Sequence, residues 1–83
     1  MERLTEKTKN GYIINGDINE AVQRLGIFED AYEDLMKSQN QIPIELEELR
    51  KQGKEKTVKY KETVTKKLIN TNIIMFFERY GIK

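Results

Sequence analysis

The chain has no cysteine and no histidine, one proline (Pro43) and one serine (Ser38). The first two absences together exclude disulfides, thiolate and imidazole metal sites, cysteine nucleophiles and histidine-based acid–base chemistry. A cysteine-free chain fits a reducing, intracellular compartment. Ser38 falls at an expected helix end, outside any nucleophile context. The five glycines, at 11, 16, 26, 53 and 81, are scattered and form no phosphate-cradling loop. Long apolar runs are also missing. A membrane span takes roughly 20 apolar residues, and the most apolar stretch, Leu68–Tyr80, is interrupted by Asn70, Thr71 and Asn72. Met1-Glu2-Arg3-Leu4-Thr5-Glu6 lacks the apolar core of a signal peptide, which makes a cytoplasmic location the default. No catalytic residue, no cofactor and no metal site is expected, so the chain does not read as an enzyme.

What is present is modest in size. The 83 residues suffice for one small helical domain, 1–83. A domain of this length buries only about 60% of its unfolded surface, so its core is thin. Hydrophobic residues make up 37% and charged residues 35%, too apolar for disorder yet short of core material. Oligomerisation is a common remedy at this size. The net charge is +1, but it is unevenly spread. Asp17 to Glu48 holds nine acids against Arg24 and Lys37, and Arg50 to Lys67 holds eight bases against Glu55 and Glu62. Such halves can pair with each other, within or between subunits, or meet outside partners.

The first sixteen residues read as an extended arm or hairpin, because Asn10-Gly11 can supply two positive-φ turn positions. Asp17 then caps a first helix, with Glu20 placed to complete a capping box. Ile18, Ala21, Leu25, Phe28, Tyr32 and Leu35 follow alternating steps of three and four, a heptad stripe for a helix packed in an antiparallel bundle. Gly26 and Ile27 interrupt that face. They read either as the place where a second element approaches closely or as one stray exposed aliphatic. Asn40 offers a left-handed helix end, and Pro43 suits the first position of a short second helix. That helix carries acids Glu45, Glu47 and Glu48 at its start, bases Arg50 and Lys51 at its end, and a small apolar face of Ile42, Leu46 and Leu49. Gly53 stops it. From Tyr60 a third helix runs through Val64 and Leu68 toward Tyr80, either unbroken or restarting at Asn70 or Asn72, with Gly81 as its stop.

The last helix is the most distinctive. At about 100° per residue, Ile69, Ile73, Phe76, Phe77 and Tyr80 share one face, while Leu68, Ile74 and Met75 point elsewhere. A helix apolar nearly all round is a buried one. The other elements have too little apolar surface to bury all of it. Ile73, Phe76, Phe77, Tyr80 and Ile27 are therefore the candidate self-interface, with Leu25, Phe28 and Tyr32 as facing core. The acids Glu29, Asp30, Glu33 and Asp34 include like-charge i,i+4 pairs. They lack the second carboxylate motif and the histidine of a di-metal bundle, and read as a solvated face or one turned to the basic half. The basic segment 50–67 has a partial helix-turn-helix look, with Lys59, Lys61, Lys66 and Lys67 as nucleic-acid contacts in that alternative. Lys54 stands where that motif wants an apolar residue.

Met1-Glu2-Arg3-Leu4-Thr5, then Arg24-Leu25-Gly26-Ile27-Phe28-Glu29-Asp30, then Ile42-Pro43-Ile44-Glu45-Leu46-Glu47-Glu48-Leu49 resemble segments of small phage and prophage proteins of Gram-positive bacteria. The resemblance covers about half of the chain in short pieces. It departs after Asp30, where the helix continues through Ala31-Tyr32-Glu33-Asp34 instead of turning. It implies an origin in a bacterial cytoplasm, during phage growth or in a lysogen, and brings no activity or cofactor.

The expected fold is mainly α: a short N-terminal β-hairpin or extended segment over 1–16, then a three-helix bundle with helices at about 17–39, 43–52 and 58–80, completed by oligomerisation. The expected function is a non-catalytic, self-associating interaction module of phage or prophage type, a dimer in the simplest case, with a host or phage protein as a further partner and no membrane. The alternatives are a nucleic-acid-binding regulator using 50–67 and a small inhibitor of a host protein acting through the acidic first helix.

Overall fold

The computed structural model describes residues 1–83. It contains a two-stranded antiparallel hairpin, β1 (Thr5–Thr8) and β2 (Gly11–Ile14), followed by two helices, α1 (Ile18–Lys51) and α2 (Val58–Glu78). The chain divides into two compact units, Met1–Glu33 and Asp34–Lys83, with the boundary inside α1.

In the first unit, the strands pair Thr5 with Ile14, Glu6 with Ile13, Lys7 with Tyr12 and Thr8 with Gly11. The turn is therefore Lys9-Asn10, one residue earlier than the expected Asn10-Gly11. No residue other than glycine has positive φ, and Gly11 alone adopts it here, at 142°. Lys9 and Asn10 thus turn the chain without either taking the left-handed conformation. The Asn15 amide donates to the Leu4 carbonyl at 2.8 Å and extends the ladder. Asp17 caps α1 as expected, its carboxylate accepting from the Asn19 amide at 2.9 Å; Glu20 makes no return bond. The Arg24 guanidinium donates to the Glu2 carbonyl. Met1, Leu4, Ala21 and Leu25 line a shallow cavity of about 360 Å³ beside this contact.

The second unit corrects the expected architecture. There is no three-helix bundle: the helices expected at 17–39 and 43–52 are one continuous α1, and Pro43 lies in its interior. Asn40 cannot be a left-handed stop, because it has no positive φ. An interior proline removes one hydrogen bond and crowds the preceding turn, at a cost of about 3 kcal/mol. Two neighbours offset it. Ile42 and Leu46 are 1% and 4% exposed, the only fully buried large apolar residues of the chain, and such burial contributes roughly 1.5–3 kcal/mol each. The three-four spacing passes through Leu35, Gln39, Ile42, Leu46 and Leu49 without a break, so one helix keeps all of them on the same face.

α1 ends at Gly53, where φ is +69°. The Lys54 amide reaches back to the Leu49 carbonyl at 2.8 Å and the Gly53 amide to Arg50 at 3.0 Å, a Schellman closure. Thr57 then caps α2, its hydroxyl accepting from the Tyr60 amide at 3.3 Å and donating to the Lys54 carbonyl at 2.7 Å. α2 runs through Asn70, Thr71 and Asn72 without restarting. A second Schellman closure, from Ile82 to Phe77 at 3.1 Å and from Gly81 to Glu78 at 2.9 Å, ends it.

Three contacts set the relation of these two segments. Arg50 Nε donates to the Tyr60 hydroxyl at 3.0 Å, Gln39 Nε2 to Thr71 Oγ1 at 2.8 Å, and Asn70 Nδ2 to Ser38 Oγ at 3.2 Å. Partner numbers rise on one helix as they fall on the other, so the helices are antiparallel neighbours. Asn70 and Thr63 are buried polar residues in this seam, and Thr63 satisfies its hydroxyl on the Lys59 carbonyl at 2.8 Å. Gln39 Oε1 is buried with no partner.

Candidate self-association surface

α2 carries two faces that differ in composition. At 100° per residue, Thr63, Val64, Asn70, Thr71, Ile74 and Phe77 cluster on one side, and all are buried or half-buried. This side packs on α1 within the second unit, and it is rich in hydroxyl and amide groups. The opposite side carries Val58, Ile69, Ile73, Phe76 and Tyr80, all exposed. Ordinary amphipathic helices turn the apolar side inward. Here the seam takes Asn70 and Thr71, whose polar atoms find partners on Ser38 and Gln39, together with Thr63, Val64, Ile74 and Phe77, while Ile69, Ile73, Phe76 and Tyr80 are left outside.

The outward residues form a connected group. Phe76 and Tyr80 rings lie 5.4 Å apart with planes tilted by 51°, and the Arg79 guanidinium sits 5.2 Å from the centre of the Phe76 ring. Phe76 is 47% exposed, Tyr80 72% and Ile73 38%. Leu68 and Met75 are also exposed, but on another side of the helix, roughly 100–125° round from this face. A shallow depression of about 350 Å³ lies toward the N-terminal end of α2, lined by Val58, Lys61, Glu62, Thr65, Lys66 and Ile69.

Of the expected self-interface, Ile73, Phe76 and Tyr80 thus come together on one exposed face. Phe77 does not belong to it: it is half-buried on the side of Asn70 and Ile74, with its ring 6.1 Å from that of Phe76. Adjacent helix positions differ by about 100°, so Phe76 and Phe77 cannot share one narrow face. Ile27 is exposed in the first unit. A side chain at Gly26 would meet nothing within 4 Å, so nothing within the first unit makes the close approach expected there. Of the expected facing core, Leu25 and Phe28 are exposed and Tyr32 is half-buried, with Phe28 and Tyr32 rings stacked at 6.4 Å. Val58, Leu68 and Met75 belong to the apolar surface and were not singled out. Plotting α2 from Val58 onward was the signal that could have found the first of them.

The charged residues stay largely apart. Arg50 lies 3.5 Å from Glu47, the only ion pair of the chain. The Tyr60 hydroxyl, accepting from Arg50, raises the guanidinium above its ordinary range, and Glu47 acts in the same direction. Glu29, Asp30, Glu33 and Asp34 are exposed and form no ion pair. No group of three or more carboxylates is placed to hold a metal ion. Lys59, Lys61, Lys66 and Lys67 are all exposed, but at helical spacing Lys59 and Lys66 share a side that Lys61 and Lys67 do not. The antiparallel helix pair also lacks the crossing of about 90–120° that a helix-turn-helix uses. No helix is long and apolar enough to cross a membrane.

The chain matches no protein-family model, no curated protein and no solved structure.

Proposed function

We propose that this protein is a non-catalytic interaction module that works as a homo-oligomer, most simply a dimer, self-associating through the outward face of α2. The observation that carries this reading is the exposed apolar face of α2: Phe76, Tyr80, Ile69 and Ile73 are open to solvent while Asn70 and Thr63 are buried. Contiguous apolar surface rarely stays uncovered on a soluble monomer, and an 83-residue chain with two fully buried aliphatics has a small core of its own. Sedimentation velocity and light scattering at micromolar concentration test the proposal. A dimer or higher closed oligomer is expected, and a clean monomer overturns it. The phage or prophage origin, and with it a place in a bacterial cytoplasm, rests on the resemblance of Met1–Thr5, Arg24–Asp30 and Ile42–Leu49.

A second reading draws on a separate observation. Asp30, Glu33 and Asp34 are exposed and unpaired with the chain's own bases, as an inhibitor of a host protein acting through an acidic helix requires. Capture of one basic host protein by the native chain, lost on reversing these three charges, is the expected result. Equal capture by both forms removes this reading.

A further inference from the structure

We infer that the β2 edge of the hairpin is a self-association site, where two copies pair β2 with β2 in antiparallel fashion and join their hairpins into one sheet. The site lies in the first unit, is separate from α2 and does not rest on the reading of that helix.

The main chain of the hairpin defines what the edge can take. Opposed residues of an antiparallel pair alternate between those that exchange hydrogen bonds and those that do not. The Asn15 amide donates to the Leu4 carbonyl. The register therefore puts Glu6 with Ile13 and Thr8 with Gly11 in the bonded class, and Thr5 with Ile14 and Lys7 with Tyr12 in the other. The amides and carbonyls of Tyr12 and Ile14 point away from β1, and those of Thr5 and Lys7 point away from β2. No third strand takes either set. A row of outward main-chain donors and acceptors at alternate residues is the template for an added strand.

The hairpin also lacks what a free-standing sheet needs. Two strands alone are marginal in water, and a third strand or a packed apolar face is required for independent stability. Tyr12, Ile13 and Ile14 are 64%, 53% and 45% exposed, so apolar side chains are open on both faces. Of the strand residues, only Thr5 lines the cavity shared with Ala21 and Leu25 of α1.

Charge decides between the two edges and selects the occupant. β1 reads Thr5-Glu6-Lys7-Thr8, and β2 reads Gly11-Tyr12-Ile13-Ile14. If β1 met itself about a two-fold axis, Thr5 would pair with Lys7 and Glu6 would stand directly opposite Glu6, a destabilising like-charge pair. Charges on an edge strand guard against such pairing. β2 carries none. Its outward residues place the axis at Ile13. Tyr12 of one copy then exchanges both main-chain bonds with Ile14 of the other, and the axis repeats the exchange. The two Ile13 side chains meet on one face, and Tyr12 packs beside Ile14 on the opposite face. Aromatic against β-branched is a favourable cross-strand pair. The same short segment serves both copies, as an isologous contact requires.

The chain has no cysteine of its own, so a disulfide in a single-cysteine variant joins two copies. The axis brings two copies of position 13 to a Cα separation of about 4.5 Å, within disulfide reach. Ile13 and Glu6 are both exposed, so either change leaves one copy intact. Full-length Ile13→Cys, oxidised in a glutathione buffer at micromolar concentration, is expected to link about tenfold or more faster than Glu6→Cys, because pairing raises the effective thiol concentration. Equal rates at the two positions overturn the proposal. So does a mixed product of Ile13→Cys with Glu6→Cys, which reports β2 against β1. Ile14→Pro, added to Ile13→Cys, removes an outward amide and no bond within the hairpin. It is expected to slow linking about tenfold, whereas Lys7→Pro, the matching change on the β1 edge, leaves the rate unchanged. Linking that survives Ile14→Pro overturns the main-chain pairing. A dimer in sedimentation with slow linking at position 13 overturns the β2 site and leaves association through α2 standing.

Discussion

Single residues at the two helix ends hold the second unit in shape. Gly53 and Gly81 have φ of +69° and +80° and let the last carbonyls of each helix be capped by amides from beyond it. A side chain at Gly53 has open space around it, so the cost of Gly53→Ala is purely conformational. It is expected to destabilise the fold by about 1 kcal/mol, read from the urea midpoint. Thr57 differs in kind, because its hydroxyl accepts from Tyr60 and donates to Lys54. Thr57→Ala removes both and is expected to cost about 1 kcal/mol, with Thr57→Ser restoring most of it. The two glycine stops were legible in the sequence, because Gly at a helix end has a local cause, whereas the cap at Thr57 was not singled out. Nor was the Lys9-Asn10 turn: Asn-Gly permits two positive-φ residues but does not require them, and a glycine-only solution was equally open to the chain.

At the scale of elements, α1 and the seam it makes with α2 hold the lesson. Pro43 and Asn40 are sound local signals for a break, yet the helix runs through both. The apolar spacing from Leu35 to Leu49 passes through Gln39, and a polar residue at that step made the stripe look finished at Leu35. The structure uses Gln39 there because Thr71 faces it at 2.8 Å. Pro43→Ala is expected to stabilise the fold by about 1–3 kcal/mol, with a thermal midpoint several degrees higher. If α1 were two helices, the same change would do little, since proline is well tolerated at a first helical position. The seam itself is expected to trade stability for register. Gln39 Oε1 is buried and unpaired, so Gln39→Leu combined with Thr71→Val removes an unsatisfied group and adds apolar contact. The double variant is expected to unfold at higher denaturant, and to show more than one helix pairing in its amide NMR spectrum.

For the whole molecule the decisive balance is between a small interior and a large apolar exterior. Ile42 and Leu46 are its only fully buried large aliphatics, while Phe76, Tyr80, Ile69 and Met75 remain open. If a second copy covers the outward face of α2, stability is linked to assembly, and the thermal midpoint rises with protein concentration. Scans across a hundredfold range of concentration read this directly. A midpoint independent of concentration contradicts the linkage. Phe76→Glu is expected to flatten the dependence and to leave the fold intact, because the position is exposed within one copy.

The sequence alone determined the mainly helical class, an extended or hairpin segment at the N-terminus, the cap at Asp17, the stops at Gly53 and Gly81, and the poverty of the core. All of these follow from local conformational preference, spacing or composition. Only the tertiary structure decided that α1 is unbroken, because burial of Ile42 and Leu46 against α2 outweighs a local proline penalty. It also decided which side of α2 faces inward. The spacing identifies two faces of that helix but not which one meets α1, and the choice depends on Ser38 and Gln39, more than thirty residues away, supplying partners for Asn70 and Thr71.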